Sequence, residues 1–200
     1  MSQANILVVF YSRHGSVAAM AKHIARGVQK VPNAHAVIRQ LPEASFSHEQ
    51  TSPALPEDGY PYCEVEDFAA CDGLAIGSPS YFGSMAAPVK LMLDQTSPIW
   101  MSGQLADKPA CGFASASTMH GGHEMTIQSM MIPLLHHGMI WAGLPYKNKD
   151  LIHTATGGTP YGVTHFAPHT QYTGLSDEEI ALCEAQGQRI AELAIKLKKR

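Results

Sequence analysis

Hydroxyl-bearing side chains follow the first apolar run of the chain, and they are the residues best suited to chemistry. The run from Ile6 to Tyr11 is rich in β-branched and aromatic residues and carries no charge, as expected of a central parallel strand covered on both faces. Ser12, Gly15 and Ser16 come next, and apolar residues recur at helical spacing from Val17 onward. A strand, a tight turn and a helix start present backbone N–H groups and the positive end of a helix dipole at one point. That arrangement suits a phosphate monoester.

The same turn lacks the two common nucleotide signatures. Neither G-x-G-x-x-G nor G-x-x-x-x-G-K-[ST] occurs there, and the hydroxyls of Ser12 and Ser16 stand where those loops use glycine. Hydroxyls and amides can hold a terminal phosphate without a metal or a lysine. The alternative is an ordinary strand–helix connection in which Ser16 caps the helix. This stretch alone leaves both interpretations open.

Length, charge and cysteine usage limit the class of protein. Two hundred residues suffice for one domain with a sheet covered on both sides. The formal net charge of −3 argues against nucleic-acid binding. No apolar run approaches the ~20 residues of a membrane span, and no signal peptide precedes the first strand. The four cysteines form no C-x-x-C pair and sit among apolar residues, as reduced thiols do. We therefore expect a cytoplasmic protein without stable membrane insertion.

Strand-like and helical segments alternate five times along the chain. This pattern predicts an α/β fold, a doubly wound five-stranded parallel sheet with helices on both faces, formed by a single domain over residues 1–200. The predicted strands are 6–11, 34–41, 72–79, 109–115 and 139–144. An irregular insert is expected at about 42–62 and a long loop at about 147–172. A helix over 123–137 should kink or break at Pro133, and Ser176 with Glu179 predicts a capping box at the start of the last helix.

In a sheet of this kind, ligands lie beyond the carboxyl ends of the strands, where the strand order reverses. Three loops should meet there, at 12–17, 80–83 and 115–122. The first loop suits a phosphate. The other two offer the aromatic side chains of Tyr81 and Phe82, backbone amides and glycines, which suit a flat ring.

Sequence motifs along nearly the whole chain resemble the WrbA-type NAD(P)H:quinone oxidoreductases, a flavodoxin-like family that binds FMN. The matching pieces are Tyr11-Ser12-x-x-Gly15, Gly77-Ser78-Pro79-x-x-Phe82-Gly83, Leu93-Asp94-Gln95-Thr96 with Trp100, His136-His137-Gly138-Met139 and Gly157-Gly158-Thr159-Pro160-Tyr161-Gly162. The last two are specific to the family. The resemblance implies two-electron reduction of quinones to hydroquinones by NADH or NADPH with ping-pong kinetics. It also implies a homotetramer with its sites at subunit contacts.

The resemblance also assigns residues to the site. Those implied in FMN binding are Ser12, Arg13, His14, Gly15, Ser16, Val17, Ser80, Tyr81, Phe82, Gly83, Ser115, Ala116, Ser117, Thr118, Met119, His120, Gly121 and His137. His14 would also contact the nicotinamide nucleotide, and Trp100 would line the quinone side. His137, reaching the same site from the end of the fourth helix, would supply a proton or a hydrogen bond as the catalytic residue.

The chain departs from the family pattern at three places. His14 stands where the family usually has Tyr, Tyr81 stands where it commonly has Arg, and the loop at 117–122 is one residue longer and bulkier. The first change bears on nucleotide preference. The second removes a fixed cation near the ring, which bears on nucleotide binding and on the flavin potential.

Other functions are compatible with the same residues. Azo or nitro reduction would use the same flavin site. A flavodoxin-type single-electron carrier is a further alternative, although −3 is a weak match to the acidic docking face of such carriers. A regulatory scaffold without flavin is another. The eleven histidines suggest a metal site as another alternative. However, no Cys or carboxylate completes a tetrahedral set of ligands around His120-x-x-His123 or His136-His137, so we expect no metal.

Overall fold

A computed structural model describes residues 3–47, 52–168 and 174–198 of the chain. The strands are β1 (Ala4–Phe10), β2 (Ala34–Gln40), β3 (Gly73–Tyr81), β4 (Ser84–Met85), β5 (Pro109–Ala116), β6 (Ile140–Trp141) and β7 (Gly162–Phe166). The helices are α1 (Ser16–Gln29), α2 (Val65–Ala70), α3 (Ala87–Gln95), α4 (Ser97–Met101), α5 (His123–His136), α6 (Asp150–His153) and α7 (Asp177–Lys198). In the described ranges, none of these helices has both the length and the apolar character that crossing a bilayer requires.

Parallel strands form the central sheet in the order β2, β1, β3, β5. The fifth position is shared by two segments, with β6 beside Pro109–Ala110 and β7 beside Gly112–Ala116. The strand order reverses between β1 and β3, so the loops that follow these two strands face each other. The predicted doubly wound parallel sheet is therefore confirmed, with five positions in its main order.

The fifth strand differs from its prediction. Of the expected strand at 139–144, only Ile140–Trp141 forms the strand, and Pro145 soon follows without an N–H group to donate. The expected loop at 147–172 instead contains α6 and β7. The run from Val163 to Phe166 has good strand-forming residues, but the glycines and proline before it masked the signal. Part of that loop, 169–172, lies outside the described residues.

Three local predictions have clear outcomes. Strand β3 extends to Tyr81 and turns back into β4, so the expected loop after Pro79 is a hairpin. Helix α5 continues past Pro133 to its end, so the helix does not break there. The capping box of α7 is confirmed, because Ser176 N donates to Oε2 of Glu179 at 2.9 Å and Glu179 N donates to Oγ of Ser176 at 3.2 Å.

The predicted insert at 42–62 is irregular where it is described. Residues 42–47 and 52–61 contain no helix or strand, and 48–51 lie outside the described residues. The segment returns to the sheet at Tyr62, which forms a bridge to Gln40. Tyr60 packs edge-on against Phe10 with ring centroids 6.0 Å apart, so one end of the insert is tied to the core.

Helices cover the sheet on both faces, as its apolar strands require. Alternate residues of β1 belong to different cores: Ile6, Val8 and Phe10 pack with α1 and α7. Leu7 and Val9 pack with α2, α3 and α5. Each buried Ile, Leu or Val side chain contributes roughly 1.5–3 kcal/mol relative to exposure, so both layers stabilise the central strands.

Helices α1 and α7 approach each other at glycines. A Cβ on Gly27 would lie 2.1 Å from the carbonyl oxygen of Glu184, and a Cβ on Gly187 would lie 2.0 Å from that of Ile24. Both distances are far below van der Waals contact. Only glycine allows the two backbones to pack this closely, which fixes α1 and hence the turn before it.

Candidate active site

The turn between β1 and α1 presents an uncapped helix start. Gly15 is the N-cap residue, and its φ of 90° places it in the left-handed region that glycine favours. Gly15 has no side chain to cap the first turn, and Ser16 already lies inside the helix, so the alternative in which Ser16 caps the helix is wrong. The first intrahelical bond runs from Ala19 N to Gly15 O at 2.9 Å. The N–H groups of Ser16 and Val17 therefore precede the helical ladder and are available to an anion.

The hydroxyl of Ser12 is buried beside this helix start. Its Oγ is shielded from solvent and has no hydrogen-bond partner among the described residues. Burying a hydroxyl without a partner costs free energy, so such groups usually have a ligand or water partner. A phosphate oxygen is an acceptor that would satisfy both the hydroxyl and the adjacent amides.

The hairpin after β3 carries an exposed aromatic ring in a strained conformation. Phe82 and Gly83 form a two-residue turn with φ values of 54° and 75°, the left-handed pair of a type I′ turn. Asn or Asp is favoured at the first of these positions, and Phe is rare there. The Phe82 side chain is fully exposed. Strain combined with exposure is typical of a residue kept for contact with a ligand.

The third loop is bonded to this hairpin. Ser80 Oγ donates to the carbonyl oxygen of Gly121 at 2.7 Å. A Cβ on Gly122 would lie 2.7 Å from Cα of Gly83, so the two backbones touch. Hairpin and loop are therefore joined on the rim of the site.

A cavity of about 120 Å³ opens between the three loops. It is lined by Ser12, Arg13, His14, Ser16, Val17, Pro79, Ser80, Tyr81, Ser115, Ala116, Ser117 and Ala167. Ten of these were predicted as site residues. Pro79 and Ala167 were missed, the latter because it follows β7, which the sequence did not reveal.

Arg13 places a cation at the mouth of this cavity. Hydrogen bonding to Tyr81 raises the pKa of the exposed Arg13 guanidinium above its ordinary value. Burial and the Glu43 carboxylate raise the pKa of Tyr11 to about 12, and the Tyr11 hydroxyl donates to Oε1 of Glu43 at 3.3 Å. The hairpin lacks the arginine common in the family at position 81, and Arg13 brings a guanidinium to the same place from the phosphate turn.

Two predicted residues of the third loop lie elsewhere. Met119 and His120 line a separate cavity of about 460 Å³ with His123 and residues of the 156–164 segment. His123 Nε2 lies 3.1 Å from the carbonyl oxygen of Thr118, which can only accept, so Nε2 carries the proton. Burial lowers the pKa of His123. The bulkier loop therefore directs these side chains away from the cavity between the three loops.

Trp100 and His137 lie together, but far from the turn at residues 12–17 between β1 and α1. They line a third cavity of about 260 Å³ with Lys90, Leu93, Asp94, Thr96, Ser97, Pro133 and His136. Helix α5 begins beside the hairpin, and its 14 residues extend about 20 Å. His137 follows its far end. Within one chain, His137 does not line the cavity between the three loops, the site that the sequence analysis expected it to approach.

Hydrogen bonds fix this second pair. Trp100 Nε1 donates to the carbonyl oxygen of His136 at 2.9 Å. His137 Nε2 lies 2.8 Å from Oγ1 of Thr96. Burial, with His136 nearby, lowers the pKa of His137. The two rings form a preorganised wall at the surface.

Glu179 is a residue whose wider role was not predicted. Beyond its capping contact, its carboxylate accepts N–H groups of Gly157 at 2.9 Å and Phe166 at 3.2 Å. These bonds hold the family-specific glycine segment and β7 against α7.

Across residues 3–47, 52–168 and 174–198, no three His, Cys, Asp or Glu side chains are grouped so that they could hold a metal ion.

Comparison with known proteins gives consistent results. Residues 5–146 match the family of NADPH-dependent FMN reductases. The NAD(P)H dehydrogenase (quinone) of Syntrophobacter fumaroxidans is 39% identical over 199 residues, covering 96% of this chain and 98% of that protein. The protein of the same name from Geobacter sulfurreducens is 36% identical over 200 residues, with the same coverage. Among solved structures, a WrbA-like flavodoxin from Agrobacterium tumefaciens superposes with a TM-score of 0.68 at 22% identity, covering 98% and 99% of the two chains.

The sheet order and the three converging loops define a flavodoxin-like protein, and the likeness to solved structures supports the same fold. Flavodoxin 1 of Bacillus cereus also superposes, with a TM-score of 0.61 at 16% identity over 94% of this chain and 98% of that one. The chain belongs to the NADPH-dependent FMN reductase family. This confirms the WrbA-type, FMN-binding family predicted from the motifs, and it indicates FMN as the cofactor.

Proposed function

We propose that this protein is an FMN-dependent oxidoreductase that uses NADH or NADPH to reduce quinones to hydroquinones by two electrons. The observation that carries the proposal is the buried hydroxyl of Ser12, which has no partner among the described residues and adjoins the uncapped start of α1. A phosphate monoester supplies the missing acceptor. The relatives are named NAD(P)H dehydrogenase (quinone), and those names give the substrate class.

The residues of the first cavity would hold FMN. The Ser12 hydroxyl and the first-turn amides of α1 would bind its phosphate, and the hairpin with the third loop would border its ring. When bound, FMN supplies the two-electron redox chemistry. The exposed ring of Phe82 would shield one edge of the site from water, and Arg13 with His14 would attract the anionic groups of the nicotinamide nucleotide.

We further propose that Trp100 and His137 serve the flavin site of another copy of the chain in a homotetramer. The length of α5 separates them from their own phosphate turn, which supports a site shared between copies. Large apolar side chains remain exposed on α4 and α5: Trp100, Met101, Met125, Ile132 and Leu135. An exposed apolar patch of this kind is typical of an interface. In the assembly, Trp100 and His137 would form the wall against which a flat quinone packs.

A cytoplasmic location and a single domain complete the proposal. All four cysteines are free and buried, which is the usual state in a reducing compartment. One sheet joins strands from β1 to β7, and α7 packs back on α1, which supports a single folding unit. Cell fractionation with an antibody would test the location.

A spectrum and an initial-rate assay test the cofactor and the reaction. The purified protein is mixed with excess FMN, passed through a desalting column and scanned in the visible range. We expect a retained flavin spectrum, followed by oxidation of NADH when 1,4-benzoquinone is added, with parallel double-reciprocal lines as ping-pong kinetics require. The same assay with an azo dye or a nitroarene measures the alternative acceptors. A protein that retains no flavin would contradict the proposal.

Hybrid oligomers test whether the site is shared. Ser12→Asp would place a carboxylate against the phosphate, and His137→Ala would remove the wall, so each variant alone should have reduced activity when benzoquinone is kept well below its KM. After joint unfolding and refolding of an equal mixture, about a quarter of the sites would combine an intact turn with an intact His137 from another copy. Activity near that fraction of wild type supports a shared site. Activity no higher than the average of the two variants alone would contradict it.

A further inference from the structure

Thr96 determines which nitrogen of His137 carries the proton. The Thr96 hydroxyl donates to the carbonyl oxygen of Leu93 at 2.6 Å, and the same oxygen lies 2.8 Å from His137 Nε2. A hydroxyl has one proton. Because two acceptor oxygens 2.6 Å apart would repel each other without a proton between them, that proton lies toward Leu93. Nε2 of His137 must then be the donor to Thr96.

The other ring nitrogen of His137, Nδ1, does not face the cavity. Its Nδ1 is shielded from solvent and has no hydrogen-bond partner among the described residues. Thr96 is itself fully buried, between the end of α3 and the start of α4. The imidazole is therefore held in place by a rigid element, with neither nitrogen directed to a substrate in the adjoining cavity.

We infer that Thr96 is a positioning residue that holds the proton of the neutral His137 ring on Nε2, so that His137 acts as a wall for the quinone ring and is not its proton donor. This inference rests on the proposed quinone reduction. The overall reaction converts NADH, one proton and a quinone to NAD⁺ and a hydroquinone. In this arrangement the proton comes from water.

The surroundings of His137 favour its neutral form. The titratable groups near it are His136 on its own helix and Lys90 and Asp94 on α3. Lys90 and Asp94 are paired with each other at 2.6 Å, so neither acts as a separate charge on the ring. Burial comes first among the causes that lower the pKa of His137, and a neighbouring imidazole adds to it.

Nitrogen-15 NMR of histidine-labelled holoprotein tests the inference without turnover. The His137 signal is assigned by its loss in His137→Gln. We expect a neutral ring with the proton on Nε2 throughout the pH range of activity. In Thr96→Val the hydroxyl is replaced by a methyl group of similar size, so the His137 ring should lose its fixed tautomer and divide its proton between Nδ1 and Nε2. Thr96→Ser retains the hydroxyl and should restore the wild-type spectrum.

Kinetics provide the second measurement. If His137 is not the acid, His137→Asn should keep the shape of the wild-type pH profile of kcat while KM for benzoquinone rises about fivefold, the loss expected for one good packing contact. A proton found on Nδ1, a cationic ring at neutral pH, or a pH profile that loses one ionisation in His137→Asn would overturn the inference. The NMR spectrum can show the Nε2 tautomer in a protein that does not reduce quinones. Conversely, quinones can be reduced by a protein whose His137 carries its proton on Nδ1. The two proposals are therefore tested separately.

Discussion

Glu179 and His165 form a buried hydrogen-bonded pair, with Oε2 of the carboxylate 2.8 Å from Nδ1 of the imidazole and side-chain exposures of 1% and 4%. The carboxylate also accepts three backbone N–H groups, from Gly157, Phe166 and Ser176. One side chain of α7 thus joins the glycine segment, β7 and its own helix start. Because β7 lies beside the third loop of the site, this pair supports the loop from behind.

Replacing Glu179 with Gln should strongly destabilise the protein. The amide keeps one acceptor oxygen but directs N–H groups at the donors of His165 and Ser176. Breaking a buried pair of this kind typically costs about 3–5 kcal/mol in the free energy of unfolding, which urea denaturation at pH 7 measures. Glu178→Gln is the matched control, because Glu178 is the exposed neighbour on the same helix. Equal midpoints for the two variants would contradict the role of Glu179.

The same pair makes stability depend on pH. Burial alone would raise the pKa of Glu179, but the hydrogen bonds from His165, Ser176 and Phe166 outweigh it and hold the pKa below its ordinary value. A carboxyl whose pKa is lower in the folded state stabilises the protein above its unfolded pKa, and this contribution is lost as the pH falls through the folded one. Wild type should therefore lose stability below about pH 4.5 more steeply than Glu179→Gln does. Thermal midpoints across that range measure the difference.

Ser12→Ala should weaken FMN binding without destabilising the apoprotein. The hydroxyl has no partner in the described protein, so its removal should leave the apoprotein as stable as wild type or slightly more stable. FMN should bind about 10- to 100-fold more weakly, because a hydrogen bond to a charged phosphate is lost. Fluorescence quenching of FMN measures the affinity. Ser102→Ala removes a hydroxyl that bonds only at the end of α4, to Pro98, Ile99 and Gln104, so it should leave FMN affinity unchanged while lowering stability slightly.

The buried thiols should be unreactive in the folded protein. Burial raises the pKa of Cys71 and of Cys111 to about 12, and it also raises those of Cys63 and Cys183. Because the thiolate is the reactive form, native protein at pH 8 should react very slowly with Ellman's reagent, whereas four thiols react in guanidinium. Ser102→Cys adds an exposed thiol and should react at once. A rapid reaction of the native wild type would contradict the burial of its cysteines.

The contact between α1 and α7 should not tolerate a methyl group. Gly187→Ala places Cβ against the carbonyl oxygen of Ile24, a backbone atom that cannot rotate away. Overpacking typically costs 1–3 kcal/mol, and a contact this close should reach at least ~3 kcal/mol. Gly103→Ala is the control, because no atom of the described residues lies within 4 Å of its added Cβ and only the backbone cost at its φ of +65° applies. Similar urea midpoints for the two would show that the helices separate easily.

Local patterns predicted the sheet and the strand–turn–helix connection at residues 12–17, but not the features that depend on the path of the chain in space. The run from Ile6 to Tyr11 is apolar on both faces, so its central position could be inferred. The position of His137 could not, because the length and direction of α5 carry it to the opposite end of the sheet. The bond from Ser80 to Gly121 spans 41 residues, and no sequence spacing reveals it. Ala167 was missed together with β7, because flanking glycines indicated a loop.

Phe82 offers the clearest separation of function from folding. At the first position of a type I′ turn, Asn is favoured over Phe, so Phe82→Asn should raise the free energy of unfolding of the apoprotein by about 0.5–1 kcal/mol. The same change removes the exposed ring at the mouth of the cavity, so FMN affinity or the turnover of NADH and benzoquinone should fall. Phe46→Asn is the matched control, because Phe46 is equally exposed but lies in the insert on an ordinary backbone. It should alter neither quantity. If Phe82→Asn raises stability but lowers FMN affinity or turnover, the strained ring is retained for the ligand. If the change lowers both stability and binding, Phe82 instead supports the fold.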